Sequence, residues 1–183
     1  MARPGNPKEK LLTTAARLFF EQGYQATGIN QILEEAGVAK ASLYTHFGSR
    51  EALALAYLKE ARTAWFRAFT TVVEKEKKPV GRLLAIFSFL EESLPAHDFR
   101  GCRFINMQAE LAGESPVLHA QIKAHKQQLR RYIRRLATDA GKPSLTGDTA
   151  YLLFESAIVE SMVHRDLWPV KTAVKQLKAL LSA

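Results

Sequence analysis

Gly37 and Gly48 bracket only ten residues, "VAKASLYTHF", and the ten before Gly37 read "TGINQILEEA". Ile29, Ile32, Leu33 and Ala36 fall at i, i+3, i+4 and i+7, one face of a short helix for which Thr27 is the expected N-cap. Gly37 suits a left-handed helix end. Leu43 and Phe47 stand four apart, so a second short helix points both to one side. Upstream, Asn6-Pro7-Lys8-Glu9 combines a cap, a first-turn proline and a glutamate three residues after the cap. Leu12, Ala15, Ala16, Phe19 and Phe20 then keep helical spacing until Gly23. Three helices therefore fit within the first fifty residues, the last two joined by a tight turn containing glycine.

Ser49 is placed to cap a long fourth helix that starts at Arg50 or Glu51 and runs through "EALALAYLKEARTAWFRAFTTVV". Pro79, Pro95, Gly113 with Pro116, Gly141 with Pro143, and Pro169 punctuate five more helical segments, at 79–94, 102–112, 116–139, 147–166 and 170–182. No alternating run of β-branched residues argues for a sheet, and no Gly/Ser linker or internal repeat divides the chain. The expected fold is all-α, with about nine helices. Its expected domains are residues 1–50 and residues 51–183, with the fourth helix as a rigid connector.

At 183 residues with 47% hydrophobic and 24% charged, the chain belongs to the globular class. No apolar run approaches a membrane span, and "MARPGNPKEKLL" lacks the features of a secretory signal, so the expectation is a cytoplasmic protein without a membrane. The one cysteine, Cys102, has no disulfide or thiolate-metal partner, and no metal or other cofactor is expected. No paired carboxylates, nucleophile-base arrangement or phosphate loop supports an enzyme. The net charge of +8 and pI near 9.7 favour a polyanionic partner. In the first fifty residues, however, Lys8, Lys10, Arg17, Lys40 and Arg50 alternate with Glu9, Glu21, Glu34 and Glu35, so a nucleic-acid surface there must come from geometry.

Two short helices about a glycine turn, backed by a preceding helix, make a helix-turn-helix whose second helix enters a DNA major groove. About two turns suffice for such a reading helix. With Leu43 and Phe47 facing the core, Lys40, Ala41, Ser42, Tyr44, Thr45 and His46 are left for the outer surface. Tyr44 and His46 offer hydrogen bonds to phosphate, as does Thr27 with the amides beside it. Read singly, Tyr44 is more commonly a packing residue.

The stretch "LFFEQGYQATGINQILEEAGVAKASLYTHFGSREAL", residues 18–53, resembles the N-terminal signature of the TetR family of bacterial transcriptional regulators. It carries the G-Y-x-A-T, A-G-V and L-Y-x-H-F-x-S-[KR]-E-x-L elements in order. The resemblance implies backbone contacts from Thr27, Tyr44 and His46, basic positions at Lys40 and Arg50, and positions nearer the base edges at Asn30, Ala41, Ser42 and Thr45. Ala39 departs from a frequent serine cap and Ala41 from a common glycine. The family likeness further implies a C-terminal ligand-binding and dimerisation domain, and a homodimeric repressor released from a palindromic double-stranded operator by a small-molecule effector.

Under that resemblance the last two helices form the homodimer, through Leu152, Ala157, Ile158, Ser161, Met162, Val170, Ala173, Val174, Leu177 and Leu181; the competing reading makes them internal core. Trp65, Phe87, Phe89, Phe104, Met107, His125, Tyr132 and Trp168 are candidates to line a ligand pocket, or are plain core. Phe87 and Phe89, two apart, should point to different sides of their helix. Cys102, between Arg100 and Arg103, has the electropositive setting of a redox sensor, against the commoner buried thiol. The basic run Lys123, Lys126, Arg130, Arg131, Arg134 and Arg135 is either a solvated face or a site for an acidic ligand or DNA. A nonspecific nucleic-acid protein using that helix is the competing functional reading.

Overall fold

A computed structural model describes residues 6–111, 113 and 115–182. Among them the chain is all-α: α1 (Pro7–Glu21), α2 (Ile29–Ala36), α3 (Lys40–His46), α4 (Arg50–Val73), α5 (Pro79–Ala96), α6 (Arg103–Leu111), α7 (Pro116–Asp139), α8 (Ser144–His164) and α9 (Trp168–Ser182). Two compact units share them. One comprises Met1–Thr63 and Arg103–Lys123, the other Ala64–Cys102 and Ala124–Ala183, so α4 and α7 each contribute to both.

In the first unit, the Asn6 side chain accepts from the Lys8 amide at 3.1 Å and Pro7 opens α1. Leu11, Leu12, Ala15, Leu18 and Phe19 bury one face of that helix. Gly37 ends α2 in the left-handed region, at φ 60°. Ala39 gives α3 no side-chain cap. Ser49 caps α4, its Oγ accepting from the Ala52 amide at 3.0 Å.

Thr27 departs from its expected role. The residue before α2 is Gly28, and the Thr27 hydroxyl instead donates to the Gly23 carbonyl at 2.6 Å. The side chain is fully buried, and a buried hydroxyl takes the partner its surroundings offer.

The second unit is built on aromatic rings. Phe69, Phe87 and Phe154 are fully buried, and the Trp65 and Phe69 rings stack at 4.8 Å. Phe87 and Phe89, two apart on α5, are both buried, because that helix is covered on most of its circumference. α5 continues through Pro95 to Ala96, and α8 begins directly after Pro143 with Gly147 inside its second turn. A Cβ at Gly147 would lie 2.6 Å from the Arg134 Cα, so α7 and α8 approach closely there. This contact offsets the poor helix propensity of glycine.

Three of the six basic residues of the run on α7 meet acids on α8. Arg130 grips Asp148 with two bonds of 2.8 and 3.0 Å, Arg134 approaches the same carboxylate at 3.8 Å, and Lys126 meets Glu155 at 2.6 Å. The hydrogen bond from Arg130 holds the Asp148 carboxyl below its ordinary pKa.

On the last two helices, Ala157, Ile158, Ser161, Val170, Ala173 and Leu177 are buried inside this unit, which is the internal-core reading of those positions. Leu152 is 65% exposed and belongs to another face. With Leu145, Val159 and Val163 it forms an exposed apolar stripe at spacings of seven, seven and four residues along α8.

Candidate nucleic-acid interface

Within the first unit, α3 has one inward and one outward side. Leu43 is fully buried and Phe47, just past the helix end, is half-buried. Lys40, Ala41, Tyr44, Thr45 and His46 are exposed, Ser42 is half-buried, and Asn30 is exposed on α2. Tyr44 is 52% exposed, unusual for a large aromatic side chain on so short a helix. The Thr45 hydroxyl donates to the Ala41 carbonyl at 2.9 Å, one turn back. This surface therefore presents a lysine, a phenol, an imidazole and small side chains, the groups suited to phosphate and shallow base-edge contact.

Two of the expected contact residues have internal partners. Thr27 is buried, as described. Arg50 is half-buried, lies 4.1 Å above the Tyr24 ring and donates to the Tyr24 carbonyl. Both hold the corner between α1 and α2.

That corner has a third anchor with no local sequence signal. Glu110, near the end of α6, accepts from the Gln25 amide at 2.7 Å, while the Gln25 side chain donates to the Glu110 carbonyl at 3.2 Å. Gly23, at φ 97°, lies against the same carboxylate, where a Cβ would sit 2.6 Å from Glu110 Oε1. Across the other side of α1, Arg17 bridges Glu21 at 2.9 Å and also pairs with Glu35 of α2. Hydrogen bonds from Gln31 and then Arg17 hold the Glu35 carboxyl below its ordinary pKa.

The expected ligand-pocket residues are spread over several places. Trp65, Phe89 and His125 line one cavity in the second unit, of about 40 Å³, with Phe154 beside them. Phe87 packs against Phe154 with ring centres 6.2 Å apart, and the half-buried Tyr132 ring lies 5.6 Å from Phe69. Trp168 is exposed at the start of α9, with its ring 5.5 Å from His164. Phe104 and Met107 are buried on α6, in the first unit.

The polar side of the cavity is Cys102, Lys126 and Glu155. The half-buried Cys102 has its Sγ 3.5 Å from the Lys126 ammonium. Burial pushes the Lys126 pKa down, but the Cys102 sulfur and the Glu155 carboxylate outweigh it and the pKa is raised, so this lysine stays charged. A volume of about 40 Å³ holds little more than one water. A drug-sized molecule, which needs roughly 300 Å³ or more, enters only if the walls move.

Among the described residues, no helix is long and apolar enough to cross a membrane, and no cluster of three metal-ligating side chains occurs.

The HTH-type transcriptional regulator LmrA of Bacillus subtilis is 49% identical to this chain over 59 residues, 32% of this chain and 31% of LmrA. That match spans just under a third of LmrA's length. The HTH-type transcriptional repressor NemR of Escherichia coli is 22% identical over 186 residues, covering 96% of this chain and 94% of NemR. Among solved structures, the TetR-family transcriptional regulator SCO4454 from Streptomyces coelicolor superposes with a TM-score of 0.86 at 27% identity, over 98% of this chain and 90% of its own. The reduced form of Escherichia coli NemR gives a TM-score of 0.82 at 22% identity, over 95% and 96% of the two chains. Residues 11–57, which hold α2, α3 and most of α1, match the family model of bacterial regulatory proteins of the tetR family. The chain therefore carries the N-terminal DNA-binding part of the tetR family at residues 11–57 and shares the fold of a TetR-family regulator over nearly its whole length.

Proposed function

We propose that this chain is a homodimeric, cytoplasmic transcriptional repressor that binds a palindromic operator and is released from it by a small molecule. The observation that carries the reading is α3, anchored inward by Leu43 and presenting Lys40, Tyr44 and His46 outward. In this reading Tyr44, His46 and Lys40 meet phosphates, and Asn30, Ala41, Ser42 and Thr45 lie toward the bases. Thr27 and Arg50 act by fixing the corner ahead of α2. Residues 1–50 form the DNA-binding domain and residues 51–183 the effector and dimer domain. The exposed stripe of Leu145, Leu152, Val159 and Val163 supports pairing of the last two helices with a second copy. A dimer brings two reading heads to half-sites one or more helical turns apart.

Fluorescence anisotropy with a palindrome from the upstream region tests the proposal. Operator binding at physiological salt should exceed binding to scrambled duplex by at least about a thousandfold. Tyr44→Ala should lower operator affinity by roughly tenfold, and neutralising Arg130 and Arg134, which are engaged with Asp148, should leave it nearly unchanged. The reverse pattern, with no sequence preference, supports nonspecific binding through α7 and rejects the proposal.

A second reading concerns the effector. The cavity of about 40 Å³ suits thiol modification better than a bulky ligand, and Cys102 sits on its wall beside a charged lysine. A reduced form of NemR, a protein of the same fold, has been crystallised. Iodoacetamide should release DNA from the wild type; a Cys102→Ala protein that responds identically rejects the sensor.

A further inference from the structure

The corner from Gly23 to Thr27 leads into α2, which supports the reading helix. Its backbone polar groups are outside the helices and need other partners, one of them local, the Thr27 amide donating to the Tyr24 carbonyl at 3.3 Å. Thr27 satisfies the Gly23 carbonyl and Arg50 the Tyr24 carbonyl. The Gln25 amide is satisfied by Glu110, 85 positions later in the chain, and the Gln25 side chain returns a bond to the Glu110 carbonyl. An ionised carboxylate is acceptor-only, and its bond to a backbone amide is charge-assisted and short. The 2.7 Å distance agrees. Gly23 makes the approach possible twice over, by adopting φ 97° and by having no Cβ where the carboxylate lies.

At the other end of α6, the Arg103 guanidinium lies 4.5 Å from the centre of the Phe20 ring, on the last turns of α1. Both ends of α6 thus grip the same part of the reading head. Cys102, on the wall of the cavity, immediately precedes Arg103, so the covalent chain passes from that wall directly into α6.

We infer that Glu110 is a positioning residue for DNA recognition: its clasp on Gln25 sets the entry of α2, and makes the placement of the reading helix depend on α6. The inference rests on the DNA-binding reading above. A displacement of α6 that pulls Glu110 from Gln25 leaves the corner with one fewer anchor, and the half-site is then met by a looser head. The bond contributes to specific binding, which needs a defined orientation, and little to the nonspecific attraction of the cationic surface.

The test compares the full-length wild type with Glu110→Ala and Glu110→Gln, by anisotropy on the operator palindrome and on a scrambled duplex of equal length, with thermal melts of each protein. Glu110→Ala should lose roughly tenfold in operator affinity, the scale of one charge-assisted hydrogen bond, with scrambled-duplex binding changed by less than about twofold. Glu110→Gln, whose amide oxygen still accepts, should recover most of the loss. Hydrogen exchange should show the Gln25 amide less protected in Glu110→Ala alone. If Glu110→Ala binds the operator like the wild type, or loses both duplexes alike, the inference is overturned while the DNA-binding reading stands. If the wild type itself does not distinguish the duplexes, that reading fails and the inference fails with it.

Discussion

The two units are stabilised in different ways. In the reading head, polar side chains settle the loops: Asn6 caps α1, Thr27, Arg50 and Glu110 hold the corner before α2, and Ser49 caps α4. The second unit is held by stacked and edge-on rings around Phe69, with ion pairs along the seam between α7 and α8 and another between Arg165 and Asp98. Directional bonds define one geometry and weaken singly, whereas ring packing gives bulk stability that depends on filled volume. The head is therefore the region in which one polar change alters recognition without unfolding the protein. The second unit is the region in which one truncated ring costs the most stability.

The largest expected effect is on that ring core. Phe69 is fully buried against Trp65, Phe89, Tyr132 and Phe154, and Phe69→Ala should cost about 3–5 kcal/mol in urea denaturation. A cost below about 1 kcal/mol would break the contrast between the units. Gly147→Ala comes next. Alanine favours a helix by about 1 kcal/mol over glycine, but here its Cβ meets the Arg134 backbone at 2.6 Å, so a net loss of about 1–3 kcal/mol is expected. A stabilised variant would show that the seam between α7 and α8 yields.

The smallest effect is electrostatic. The Asp148 pKa is depressed in the folded state by Arg130, so its contribution to stability is present above the ordinary carboxylate range. It is lost as the pH falls through the folded-state value, below about pH 4. Asp148→Asn should therefore melt below the wild type at pH 7, with the gap closing in acid; a gap that widens in acid contradicts the assignment.

What the sequence made legible is what neighbouring residues decide. The helix spans and the Gly37 stop follow from apolar spacing and glycine within a few positions, and Leu43 is buried as its spacing requires, while Phe47, just past the helix end, is half-buried. Spacing alone puts Thr27 at the cap of α2, whereas its partner, the Gly23 carbonyl, becomes available only when the corner folds. Glu110 carried no local signal, because its partner lies 85 positions away. The dimer positions on α8 were ambiguous since that helix is apolar on both its buried and its exposed faces, and periodicity alone does not tell Leu152 from Ile158. The basic run on α7 reads in sequence as either a solvated face or a site for an acidic ligand or DNA, because its partners Asp148 and Glu155, seven apart on α8, are brought beside Arg130, Arg134 and Lys126 only by folding.

The central claim is that two copies of α3 read adjacent major grooves. Methylation interference at guanine N7 on the operator palindrome tests it most directly, because N7 is exposed only in the major groove. Two symmetric patches of interference are expected, centred one or more helical turns apart, and weakened but not moved in the complex formed by Tyr44→Ala. Interference that is absent, or uniform along the duplex and unchanged by that substitution, would contradict it.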